Sequence, residues 1–371
     1  MSEKQAITYA GTGVDYDAMD PFKREAQLAA METAINVARL GLSEVLMSRG
    51  ESAYLIDAGD RFLAHVEEGL GTKNLVADAM YKLTGKSYYD QIAQDTVAMI
   101  VNDMITLGAL PLSVAMHLAV GASDWFQDTR RCSDLIHGWK QACILARCVW
   151  GGGETPTLKG VVVPEAVVLS GSAIGLVQPK ERLITPSKIQ HGDAIVLVES
   201  SGIHANGLTM ARTIADNLPE GYLTQLPDGR TYGEALLDPT YIYVALVEDC
   251  LNHGVSIHYT VNITGHGWRK LMRAREPFVY LLEKIPEPQP IFRFIQECGP
   301  VNDTEMYGNF NMGAGFALYV PTADVEQVIT LAEQCDFKAM RAGHIEKRGE
   351  EKKVVIQPKG LEYDGSTLGV R

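Results

Sequence analysis

The sequence predicts an α/β protein of two subdomains, each a β-sheet backed by helices, and three observations predict it. The chain has 371 residues, whereas single hydrophobic cores seldom grow beyond about 250–300 residues. Stretches of helical periodicity alternate with short apolar runs of β character along its length. A polar stretch with two prolines, 178–192, separates two such series and sets the domains at 1–177 and 178–371.

Hydrophobic content of 46% and charged content of 21% describe an ordinary globular protein. The net charge of −13 and the lack of a basic cluster argue against a nucleic-acid partner, which needs a positive stripe to neutralise phosphates. Six cysteines show no metal-ligand spacing; reduced, mostly buried thiols are expected, with Cys143 and Cys148 on different faces of one helix. The opening residues lack the blocks of a signal peptide, and no apolar run approaches about 18 residues. A cytoplasmic protein with no membrane partner follows.

Taken in order, residues 1 to about 20 read as a mobile entry segment. Glu25 to Met47 carries Leu28, Met31, Ile35, Ala38, Leu42 and Val45 at helical spacing. Phe62–Val66 is a short apolar run leading into a Gly-rich turn, Glu67 to Lys73, with carboxylate, hydroxyl and ammonium groups. Successive N–H groups in such a turn can cradle an anion. Thr84-Gly85-Lys86-Ser87 imitates the end of a phosphate loop but has Met80 where that loop needs glycine.

Gln91 to Gly108 is a second helix, with Val97, Ile100, Val101, Met104 and Ile105 on one side. Asp95 and Asn102 share a face about two turns apart, with Asp103 beside them. Such an edge is either a site for Mg²⁺ and phosphate or a solvated face, and spacing leaves both open. Leu112–Val120 is a strand containing His117, read as a core or interface residue. Asp128–Cys148 is a helix, Gly151 to Thr155 a Gly-rich turn, and Val161–Val177 two strands around Pro164.

The second domain opens with the strand Ala194–Val198 and a turn from Glu199 to Thr209 holding Ser201, Gly202, His204 and Asn206. Strand, polar turn and helix in succession present backbone donors to an anion.

These segments together resemble the aminoimidazole ribonucleotide synthetases, or phosphoribosylformylglycinamidine cyclo-ligases, over roughly residues 9 to 346. Tyr9, Gly13, Val14, Asp15, Asp17 and Ala18 match the family's opening. Lys73, Asp95, Ala98, Met99, Asn102, Asp103, Gly108, Ala109 and Pro111 match its Gly-Thr-Lys turn and following helix. Gly152 to Thr155, the Ser200–Gly207 turn, Pro239-Thr240, Asn262 to Gly267 and Glu305 to Gly315 also correspond. Departures are Glu68 for aspartate, Pro156 to Lys159, Ala205 for serine, His266 for glycine and Gly308 for arginine.

The resemblance implies ATP and Mg²⁺, a small phosphorylated substrate, and a homodimer whose first domains pair their sheets. It implies ATP-driven closure of formylglycinamidine ribonucleotide to an imidazole. On that basis Asp103, Asp95, Glu68 and Glu154 are the expected metal carboxylates. Gly69, Gly71, Thr72, Lys73, Asn102, Gly153, Thr155, Ser201 and Gly202 are expected at the nucleotide. His204, Asn206, Lys73 and Asp95 are the expected catalytic residues. Two alternatives stand beside this: another ATP-using kinase-type relative, against which Glu305 to Gly315 argues, and a diverged non-catalytic nucleotide-binding paralogue, suggested by Glu68, His266 and Gly308.

Overall fold

The computed structural model describes residues 16–368. The matches at Tyr9, Gly13, Val14 and Asp15 lie outside them. The chain forms two mixed sheets, each with helices against it. The first runs β1 (Ser43–Glu44), β2 (Tyr54–Asp57), β3 (Phe62–Gly69), β4 (Leu110–Val120), β5 (Val149–Glu154) and β6 (Val167–Val177), in spatial order β1-β2-β3-β6-β4-β5. It is antiparallel except for the parallel β4–β5 pair at its edge.

The helices of this half are α1 (Tyr16–Glu32), α2 (Lys73–Thr84), α3 (Tyr89–Met104) and α4 (Thr129–Leu145). Ile92, Val97, Ile100, Val101 and Met104 of α3 are fully buried against β3 and β6. The opposite face of the sheet leaves Leu63, Val168 and Ile174 exposed.

The second sheet begins at β7 (Ala194–Glu199) and includes β8 (Tyr259–Asn262), β9 (Val279–Leu282), β10 (Ala314–Val320), β11 (Ala339–Glu346), β12 (Lys353–Ile356) and β13 (Leu361–Asp364). Its order is β13-β12-β9-β11-β7-β10-β8. Every residue of β8, β9 and β10 is buried, which explains the continuous apolar runs of β9 and β10. Around it lie α5 (Leu208–Asp216), α6 (Tyr232–Leu236), α7 (Val244–Asn252), α8 (Pro290–Cys298), α9 (Asp303–Asn309) and α10 (Val325–Gln334). Among the described residues no helix is long and apolar enough to cross a membrane.

Four local expectations change. The helix expected over Glu25–Met47 is α1 followed by a 3₁₀ stretch, Ala34–Leu40, ended by Gly41, and Leu28, Met31 and Ile35 are exposed. The Gly151–Thr155 turn is instead the edge strand β5: a Cβ at Gly153 would lie 2.2 Å from the Met116 carbonyl, so glycine lets β5 approach β4 closely. Only one strand, β6, follows Pro164, because residues 163–166 form a turn. Cys143 and Cys148 meet after all, since Arg147 takes φ 53° beyond α4 and turns Cys148 back, its N–H reaching the Cys143 carbonyl at 3.0 Å.

Candidate functional site

A cavity of about 660 Å³ opens between the two halves of the chain. Its first wall is the end of β3 and the turn into α2. Glu68, Gly69, Gly71 and Thr72 line it, and Gly71 has φ 76°. Thr72 is the N-cap of α2 and makes no side-chain cap bond, so its hydroxyl remains available on this wall. Met99 and Asp103 of α3 complete that side.

The second wall comes from the other half: Asn206 to Thr209 at the start of α5, Thr264 to His266, Lys270 and Arg273. Asp103 accepts a 2.7 Å bond from Asn262 Nδ2 across the boundary, which fixes one carboxylate oxygen. Glu68 is half-buried and faces Asp103; burial first, and that neighbouring charge second, push its carboxyl up to about 7. Lys270 is only 9% exposed, and burial lowers its ammonium to about 8. His266 lines the cavity with φ 70°, a conformation usually given to glycine, and burial followed by Arg269 and Lys270 brings its ring to about 4. Gly308 lies outside the cavity lining, and its carbonyl accepts from Arg269 at 2.9 Å.

Several expected site residues lie elsewhere. Lys73 has no exposed surface; Nζ is held by Asp95 Oδ1 at 2.8 Å and the Asp238 carbonyl at 2.7 Å. Asp95, also fully buried, accepts from the N–H and hydroxyl of Thr240 as well. Burial raises its carboxyl, and the Lys73 and Thr240 donors pull the other way. Asn102 bonds the Tyr241 carbonyl and the Tyr243 N–H. The polar edge of α3 is therefore neither a solvated face nor a full metal site. Apart from Asp103 it is a seam joining the domains, because buried polar groups need partners and the second domain supplies them.

His204 is 2% exposed and accepts the Ser201 N–H at Nε2. Burial, then Lys73, lowers its pKa to about 3, so the ring is neutral near pH 7 and sits away from the cavity, unlike Asn206. Ser201 donates to the Pro239 carbonyl and opens on a second cavity of about 520 Å³. The Gly202 carbonyl accepts from Asn311. Gly153, Glu154 and Thr155 are exposed at the β5 edge and are not part of the cavity lining. The four carboxylates expected around one metal are thus not gathered in one chain; Glu68 and Asp103 are the two that share the cavity. The sequence reading passed over Lys270 and Arg273. Their i, i+3 spacing directly after the Asn262–Gly267 match is the signal that would have found them.

Residues 50–177 match a family model described as AIR synthase related protein, N-terminal domain, and residues 190–356 the corresponding C-terminal domain. The chain is 33% identical over 347 residues to a Methanothermobacter thermautotrophicus protein named phosphoribosylformylglycinamidine cyclo-ligase, covering 93% of this chain and 96% of that one. A protein of the same name from Carboxydothermus hydrogenoformans is 35% identical over 363 residues, covering 95% and 99%. Among solved structures, the HypE–HypF complex has a similar fold, with TM-score 0.60 at 15% identity over 86% of this chain and 94% of that chain. Hydrogenase maturation protein HypE in complex with ATP gives 0.59 at 16% identity, covering 83% and 87%. With both halves matched and relatives about a third identical along nearly the whole length, the chain belongs to the AIR synthase-related family, among the phosphoribosylformylglycinamidine cyclo-ligases.

Proposed function

We propose that the protein is an ATP-dependent cyclo-ligase converting formylglycinamidine ribonucleotide to aminoimidazole ribonucleotide, in the cytoplasm and as a homodimer. The observation that carries the reading is the cavity between the halves, where a carboxylate pair and a Gly-rich turn face a wall bearing Lys270 and Arg273. ATP supplies the phosphoryl group that makes the substrate's amide oxygen a leaving group, which an amidine nitrogen displaces as the ring closes.

The residues suit Mg²⁺ as well. That ion takes one or two protein carboxylates and completes its shell with phosphates and water. Glu68 and Asp103 are such a pair, and the proton affinity that burial and their repulsion give Glu68 is what a cation would relieve. The Gly71 and Thr72 N–H groups lie at the start of α2, where the helix dipole favours phosphate. Asn206 on the facing wall is placed to orient the reacting amide, and closure of two walls on one substrate supplies proximity.

A homodimer through the outer face of the first sheet would cover Leu63, Val168 and Ile174, with His117 beside them 3.3 Å from Ser170. The departures from the family pattern do not dismantle the cavity, since Glu68 reaches it and His266 adopts the backbone its position requires. The test is ADP release and aminoimidazole formation with ATP and Mg²⁺, in the presence and absence of formylglycinamidine ribonucleotide. Turnover should depend on that substrate. Asp103→Asn, which keeps an acceptor for Asn262, should lower it about 10²–10³-fold without a change in melting temperature. ADP release indifferent to the substrate would overturn the reading.

A further inference from the structure

We propose that Lys270 and Arg273 form the wall of the inter-domain cavity that receives a ligand phosphate, the role the sequence had suggested for Lys73. The inference rests on that cavity being a substrate site, and it deepens the reading above. Lys73 is spent: Asp95 holds it inside its own domain, and it reaches across to the Asp238 carbonyl of the second. To meet a phosphate it would have to abandon Asp95 inside the protein, which is strongly unfavourable.

Lys270 and Arg273 stand three residues apart at the end of a helical turn, Gly267–Met272, so both side chains emerge on one side. Both line the cavity. Lys270 Nζ donates to Thr264 Oγ1, and an ammonium carries three donors. Neither Glu68 nor Asp103 closes an ion pair with it among the described residues. The carboxylates and the ammonium therefore border the same space without touching. That arrangement suits a metal-bound phosphate, which needs carboxylates on one side and a cation on the other.

Arg273 donates from Nη2 to the Gly50 carbonyl at 3.0 Å, and its buried Nε lies 3.9 Å from a Glu51 carboxylate oxygen, too far for a hydrogen bond. Beside them α5, nine residues long, begins at the cavity without a side-chain cap. Its N-cap Gly207 has φ 79°, and a Cβ there would lie 2.2 Å from the Phe310 ring. The first amides of α5 are left to the cavity, and a helix start of this kind favours an anion.

The phosphate belongs either to ATP or to the ribonucleotide, and binding measurements separate the two. Lys270→Met keeps the aliphatic stem and Lys270→Arg keeps the charge. Calorimetry would give Kd values for the Mg²⁺ complex of a non-hydrolysable ATP analogue, for adenosine and for formylglycinamidine ribonucleotide. We expect Lys270→Met to weaken either the analogue or the ribonucleotide about 10–100-fold, as for loss of a charged hydrogen bond. Adenosine should bind unchanged, Lys270→Arg should recover most of the affinity, and melting should stay within a few degrees of wild type. The analogue arm assigns the phosphate to ATP, and the ribonucleotide arm to the substrate. Unchanged affinity for both, or equal loss for adenosine, would overturn the proposal. Because these are binding readouts, a wild-type protein that binds both ligands yet forms no imidazole would refute the cyclo-ligase reading alone.

Discussion

Replacing Asp95 by alanine should destabilise the chain by about 3–5 kcal/mol, the usual result of removing one partner from a buried ion pair. The figure follows from what is left behind. Lys73 would be left with no exposed surface and only the Asp238 carbonyl, at 2.7 Å, as a partner. Thr240 would lose the acceptor of its N–H at 2.8 Å and of its hydroxyl at 2.5 Å. Water entering the vacated space offsets part of the second loss, which keeps the total in that range. The double variant Lys73→Met/Asp95→Asn removes the charge and retains an acceptor for Thr240. It should return to within about 1–2 kcal/mol of wild type, because an uncompensated buried charge dominates the single variant. Urea unfolding followed by circular dichroism and by tryptophan fluorescence provides the assay, and coincident transitions license the free energies. If Asp95→Ala stays within about 1 kcal/mol of wild type yet loses ATP binding, the seam argument is wrong. The carboxylate then belongs to the nucleotide site.

Two other outcomes follow from buried titratable groups. Glu68 has a folded pKa of about 7 against an ordinary 4.5, so the folded state holds a proton that the unfolded chain releases across that window. Stability should fall as pH rises from 4.5 to 7 and level off above it, by about 3 kcal/mol at most at 1.36 kcal/mol per unit. Glu68→Gln should abolish that part of the slope in metal-free urea titrations at pH 5 and pH 8, and an unchanged slope would count against the placement of Glu68. His204→Ala should lower the melting temperature and leave kcat per folded molecule unchanged, because the ring is neutral and inside; a large fall in kcat at normal stability would restore its catalytic role.

The α/β class and the shared edge of Asp95, Asn102 and Asp103 were legible because periodicity reports which residues lie side by side. Depth was not. Lys73 matches a phosphate-binding turn by type and spacing, yet the strand above it continues to Gly69 and the helix begins at Lys73 itself, so the side chain points inward. The fate of the α3 edge depended on residues 240–262, contacts that no local window contains. His266 stands in the sequence only as a departure from the family's glycine, and its φ of 70° shows that the histidine takes the left-handed backbone usually left to glycine. The Gly151–Gly153 run was read as a turn because glycine permits turns, but it equally permits a strand to lie close against its neighbour.

The polar seam of α3 also has a consequence for how the chain is made. Asp95, Asn102 and Asp103 find their partners 145, 141 and 159 residues further along. At synthesis rates of about 5–20 residues per second, the helix waits roughly 7–30 s for them. During that time the first half can collapse on its apolar core with Lys73 paired to Asp95, but Asn102 and Asp103 have only water to bond. The second half, once made, supplies both the partners of that seam and the facing wall of the cavity.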